Sequence, residues 1–174
     1  MLGTALLIVR GVVGLSMIAH GAQKTLGWFG GYGLTATGGL FAQIGFRPGR
    51  LFASLAGFSE IVAGLLITLG LLGPVGPALL LSVMIVAAVS VHWNNGFFAA
   101  KNGIELTLLY ATVAVLLALT GPGPDSLDGL FGLDGFWSPQ LAGVALGVAV
   151  IGAIGNLAAR RRAPSGSAVG VKAT

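Results

Sequence analysis

Residues 2–21 read LGTALLIVRGVVGLSMIAHG, an apolar run broken only by Arg10 and, near its end, His20. At about 1.5 Å per residue a helix of this run is roughly 30 Å long, the thickness of a bilayer's hydrocarbon core. A cleaved leader would carry a basic segment ahead of a shorter apolar stretch. This run has neither that segment nor that length and holds Arg10 inside it, so it is expected to stay as a first spanning helix.

The same texture returns four times, at residues 51–72, 75–91, 103–120 and 141–158. Gly73-Pro74 forces a tight turn between the second and third runs, and Gly121-Pro122-Gly123-Pro124 ends the fourth. The fifth is rich in glycine and carries Asn156, which makes it the weakest candidate for insertion. With 55% apolar and 8% charged residues and a mean hydropathy of +0.95, the chain has too little polar material to cover a soluble globule. The runs are continuous and do not alternate as barrel strands do, and lipid demands that every backbone group be paired within its own segment. The expectation is an all-α membrane protein: a four-helix transmembrane bundle over residues 1–130, a fifth transmembrane helix within 131–159, and a basic, disordered cytoplasmic tail over 160–174. No repeat argues for an inverted-repeat transporter.

A net charge of +4 and a pI near 10.1 would suit nucleic acid, but Arg160, Arg161 and Arg162 stand together where they read as a topology signal, so no nucleic acid is expected. Five spans put Lys24, Arg47, Arg50, Lys101, the three arginines and Lys172 on one side, and Asp125, Asp128 and Asp134 on the other. Four spans would put the acidic loop and the arginine cluster together. The positive-inside rule then sets the amino terminus outside and the carboxyl terminus in the cytoplasm of a plasma-membrane protein, with Trp28, Trp93 and Trp137 at the interfaces. Residues 23–50 mix aromatics with glycines and are expected to lie at the inner interface, partly helical, as a lid.

A charge deep in lipid needs a reason. Arg10 and Glu60 count to similar depths from the outer ends of their runs and are expected to form an intramembrane ion pair, serving either to fix helix register or to bind ligand or move protons. On the first helix Arg10, Val13, Met17, His20 and Lys24 share one face. Gly57 and Gly64 flank Glu60, a spacing that suits close helix packing better than a slot for a flat ligand.

A second group, His20, Lys24, His92, Asn95 and Glu105, gathers at the inner ends of three runs as a ligand or partner site. Such groups suit a quinone carbonyl or a docked protein. Interfacial side chains that only satisfy backbone or lipid compete with that reading, and two histidines without a further motif do not make a metal or haem site. Gly143 and Gly147 match GxxxG, but in a chain with 30 glycines the match is near chance. Without cysteine the chain has no disulfide and no thiolate, so electrons would have to come through a cofactor or a partner.

The ordered set Ala19-His20-Gly21-Ala22-Gln23-Lys24, then Glu60, then Val91-His92-Trp93-Asn94-Asn95-Gly96-Phe97-Phe98 with Gly103-Ile104-Glu105, resembles the DoxX family of small membrane proteins. So does Gly121-Pro122-Gly123-Pro124-Asp125-Ser126-Leu127-Asp128. The resemblance spans residues 2–130 and implies a four-helix bundle, so the fifth helix and the tail depart from it. It also implies a setting in quinone-linked oxidation of sulfur compounds or in redox complexes of oxidative-stress defence. By position it draws attention to His20, Lys24, Glu60, His92, Asn95 and Glu105. The expected function is therefore an integral membrane subunit of a redox complex, catalytic or accessory, with quinone as cofactor, membrane lipids and redox proteins as partners, and homo-oligomers allowed. The alternatives are a small-molecule or lipid transporter using Arg10 and Glu60, or a non-catalytic scaffold.

Overall fold

A computed structural model describes residues 1–161. Residues 162–174 of the tail expected to be disordered, Arg162 and Lys172 among them, lie outside the described residues, whereas Arg160 and Arg161 are held by hydrogen bonds to the carbonyls of Ile44 and Gly45. The chain forms α1 (Leu2–Thr25), α2 (Gly33–Gln43), α3 (Gly49–Leu69), α4 (Val75–Ala87), α5 (Glu105–Thr120), a short α6 (Leu127–Leu130) and α7 (Pro139–Ala158). Local chemistry sets their ends. Pro48 and Pro74 stand at the N-caps of α3 and α4, while Gly70 ends α3 in the left-handed conformation that glycine adopts without strain. Ser138 caps α7 by accepting the Leu141 N–H at 3.3 Å, with Pro139 in the first turn, where its missing N–H costs nothing. Beyond Ala87, α4 continues as a π turn (Ala88–His92) and a 3-10 turn (Trp93–Asn95).

Four helices are long and apolar enough to cross a membrane: α1, α3, α4 with its continuation to Asn95, and α7. The fifth run, weakest by sequence, thus yields a helix of 20 residues. The fourth run yields the shorter apolar helix, α5, at 16. Large apolar side chains such as Leu15, Phe58, Leu109 and Ile151 are exposed along α1, α3, α5 and α7, as lipid-facing surfaces must be.

The bundle is held first by α1 against α3, running antiparallel. A Cβ on Gly14 would lie 2.6 Å from the Gly64 carbonyl oxygen, and one on Gly21 would lie 2.4 Å from that of Gly57. Two glycine contacts, seven residues apart on each helix, let the backbones touch. In lipid, where apolar side chains gain nothing by leaving solvent, such close packing is a main source of association. Leu80, Met84, Ala114, Leu117 and Ala149 form a buried core between α4, α5 and α7.

One end of the bundle is acidic. There Arg10, 3% exposed, donates to the Pro122 carbonyl and, at 2.6 Å, to that of Asp125. Asp128, fully buried, accepts the N–H groups of Leu72 at 3.0 Å and Gly73 at 2.6 Å. That carboxylate holds the α3–α4 turn, in which Leu72 has a φ of 61°, a left-handed conformation strained for leucine. The opposite, basic end carries Lys24, Arg47, Arg50, Lys101, Arg160 and Arg161.

Candidate functional site

Lys24 stands in the last turn of α1, beside α3, where the Gly21–Gly57 contact brings the two helices together. Its ammonium donates to both oxygens of Glu60, at 2.7 and 2.6 Å. Glu60 is 4% exposed, whereas the Lys24 side chain keeps 28% of its surface open. The lysine stem runs along α3 and presents its charge one turn deeper, as long cationic side chains do near helix ends.

The expected Arg10–Glu60 pair does not form. The glycine contacts set the register of α1 on α3, and in that register Arg10 faces Gly70, whose Cβ would lie 2.5 Å from its Nη1. Arg10 therefore closes the acidic end, and Glu60 is left to Lys24. Gly57 and Gly64, the expected packing positions, do pack, and leave no slot between α1 and α3.

A cavity of about 260 Å³ opens beside the ion pair, walled by residues of α1, α2, α3, α4 and α7. Its polar wall joins Lys24 and Glu60 to Ser59, Ser82, Ser90, His92 and Asn156. Phe41 and Phe52 stand among its apolar residues. The π turn lies at this wall, where the Ser90 hydroxyl donates back to the Val86 carbonyl at 2.5 Å; interrupted helices of this kind are frequent at functional sites. A second cavity, about 420 Å³, lies between the end of α1 and α2 and includes Gln23, Tyr32 and Thr37. Lys24, Phe41 and Val91 border both cavities. α2, the helical part of the expected lid, thus contributes to two cavities at the basic end.

Of the five residues expected to form one site, Lys24 and His92 share the first cavity. Asn95 and Glu105 instead shape residues 96–104: Asn95 donates to the Val91 and Asn102 carbonyls, both at 3.2 Å, and Glu105 accepts the Ala99 N–H at 2.8 Å. His92 joins them, its Nδ1 lying 2.8 Å from the Asn102 carbonyl oxygen. A carbonyl can only accept, so Nδ1 carries the proton and Nε2 is the acceptor of the neutral ring. His20 is exposed on α1, one turn before Lys24. Among the described residues no three His, Asp or Glu side chains come together as a metal site would require.

Sequence reasoning passed over Ser59, Ser82, Ser90 and Asn156. Ser82, Val86 and Ser90 recur every four residues, and that stripe was the available signal. Asn156 was read only as a weakness of the fifth span. What the cavity offers chemically is a fixed cation, a buried carboxylate, a hydroxyl and an imidazole beside aromatic faces.

A family model described as DoxX matches residues 5–93, which includes His20, Lys24, Glu60 and His92 and stops short of Asn95 and Glu105. An uncharacterized membrane protein of Mycobacterium tuberculosis is 31% identical over 134 residues, covering 71% of this chain and 79% of that protein. An uncharacterized protein of Haemophilus influenzae is 33% identical over 129 residues, covering 72% and 90% respectively. No solved structure matches.

Proposed function

This chain belongs to the DoxX family of multi-pass membrane proteins, and on that premise we propose that it is the membrane subunit of a redox complex whose cavity beside Lys24 and Glu60 receives the headgroup of a quinone dissolved in the bilayer. The observation that carries this reading is the meeting of an ion pair, a hydroxyl and an imidazole with Phe41 and Phe52 in one cavity toward the basic end of the bundle. Small-molecule sites typically combine an apolar lining with a few placed polar groups.

The residues fit such a headgroup. Lys24 supplies a donor for a carbonyl oxygen, and Glu60 and His92 Nε2 supply acceptors for a hydroxyl. A bound quinone would supply the two-electron chemistry for which a chain without cysteine has no thiolate. The chain's own residues hold the ring, keep a cation beside it and hold or take up protons at Glu60 and His92. Partner proteins deliver the electrons, in sulfur-compound oxidation or in defence against oxidants. In this reading the basic end faces the cytoplasm and the amino terminus lies outside.

The test is a titration of the purified protein in nanodiscs with a short-tailed benzoquinone. Saturable binding that weakens at least tenfold in Lys24→Met and Glu60→Gln, with Arg10→Met unchanged, is the expected result. No saturable binding in the folded wild type overturns the quinone. Quinone-independent flux of a solute through liposomes holding only this protein would favour a transporter.

A further inference from the structure

The turn after α2, the start of α3 and the end of α7 bring four arginines to the basic end. The turn after α2 and the end of α7 are joined by two hydrogen bonds, one from backbone and one from a side chain: Arg161 N–H donates to the Gly45 carbonyl at 2.8 Å, and Arg160 Nε donates to that of Ile44 at 2.5 Å. Gly45, at a φ of 100°, makes room for this; a Cβ there would lie 2.3 Å from the Arg161 carbonyl oxygen. Arg47 follows two residues later in the same turn. Arg50 opens α3 with its stem against Gly38 of α2. All four arginines are exposed.

Nothing in the chain's own side chains neutralises them. The sequence holds five carboxylates, and each is placed elsewhere. Glu60 takes Lys24, Glu105 takes the Ala99 N–H, Asp128 takes the α3–α4 turn, and Asp125 and Asp134 sit at the acidic end. The one ion pair among the described residues is Lys24–Glu60. Four exposed like charges at one end, with no side-chain carboxylate beside them, make a surface that attracts anions, and guanidinium groups are well shaped for phosphate oxygens. Next to the cluster, Leu51 of α3 and Ile154 of α7 expose apolar surface along which acyl chains can lie.

We propose that the arginine cluster formed by Arg47, Arg50, Arg160 and Arg161 is a binding site for the phosphate of an anionic phospholipid. The site lies outside the cavity beside Glu60 and does not depend on what that cavity binds. Its role is to tie α2 and the end of α7 to the bilayer surface through a shared counter-ion.

The experiment uses the full chain in detergent micelles and measures retained lipid by native mass spectrometry as phosphatidylglycerol or phosphatidylcholine is titrated. The wild type is expected to retain phosphatidylglycerol selectively. Selectivity should fall roughly fivefold for each arginine removed, in Arg47→Gln with Arg50→Gln and in Arg160→Gln with Arg161→Gln. The first pair of substitutions leaves both α2–α7 hydrogen bonds intact and so tests charge without disturbing the fold. Lys101→Gln, at the same end but outside the cluster, should retain the lipid. Three results overturn the proposal: undiminished selectivity in the Arg47, Arg50 variant, equal loss in Lys101→Gln, or equal retention of phosphatidylcholine. If millimolar inorganic phosphate displaces the lipid completely, the site is one for a soluble anion and the lipid assignment fails.

Discussion

Removing the Lys24 ammonium leaves Glu60 buried without the cation that holds both its oxygens. A broken buried pair costs on the order of 3 kcal/mol, so Lys24→Met and Glu60→Gln should each lower unfolding stability by about that amount. Together they should lower it by much less than the sum. The same cycle between Arg10→Met and Glu60→Gln should be additive within about 0.5 kcal/mol, because the two side chains belong to opposite ends of the bundle. Strong coupling there would mean that the register of α1 on α3 is wrong. Asp128 gives a second residue-scale expectation. An asparagine can keep one of the two N–H acceptors it supplies to Leu72 and Gly73, so Asp128→Asn should cost roughly 1–3 kcal/mol, measured by thermal unfolding. Nothing near Asp128 in the sequence announces this role. Its partners lie 56 and 55 positions away, and as one of three acidic residues in a loop it reads as surface charge.

Helix against helix, glycine separates two kinds of position. Gly64→Leu should force α1 and α3 apart at a cost of about 1–3 kcal/mol or more, visible as earlier unfolding in a denaturing detergent titration. Gly143→Ala and Gly147→Ala should change stability by no more than about 1 kcal/mol, set by helix propensity alone, because a Cβ at either meets nothing within 4 Å. The contrast shows what was legible. Spans follow from composition summed over some 20 residues, and the α1, α3, α4 and α7 spans could be read in that way. Register between helices depends on which glycines meet, and a sequence with glycine throughout does not mark them. Depth counted from the ends of apolar runs therefore matched Arg10 to Glu60, while the Gly14–Gly64 contact moves Arg10 to the end of α3. The cavity suffered similarly. Lys24, Glu60 and His92 stood out as ionisable groups in apolar surroundings, but Ser90 and Asn156 join them only through the packing of α4 and α7.

Across the molecule, the absence of cysteine makes topology directly measurable. Single cysteines at Leu130, in the acidic end, and at Phe98, in the basic end, replace exposed side chains. With the charge asymmetry read by the positive-inside rule, a membrane-impermeant thiol reagent should reach the first from outside whole cells and the second only after lysis. Labelling of both from outside would end the five-span arrangement.

The brevity of α5 has a consequence for the lipid around it. Its 16 residues make a helix of about 24 Å, against neighbours that match or exceed a hydrocarbon core of about 30 Å. Leu106, Leu109, Leu116 and Leu119 stand exposed along it, so acyl chains must cover it. The leaflets beside α5 will be drawn together while those beside α1 are not, and the protein carries a thickness gradient around its girth. Such strain costs fractions of a kcal/mol per Å. Thermal stability should therefore peak in bilayers of shorter acyl chains and fall as the chains lengthen, and extending α5 by one turn of leucine after Leu116 should move that peak toward thicker membranes.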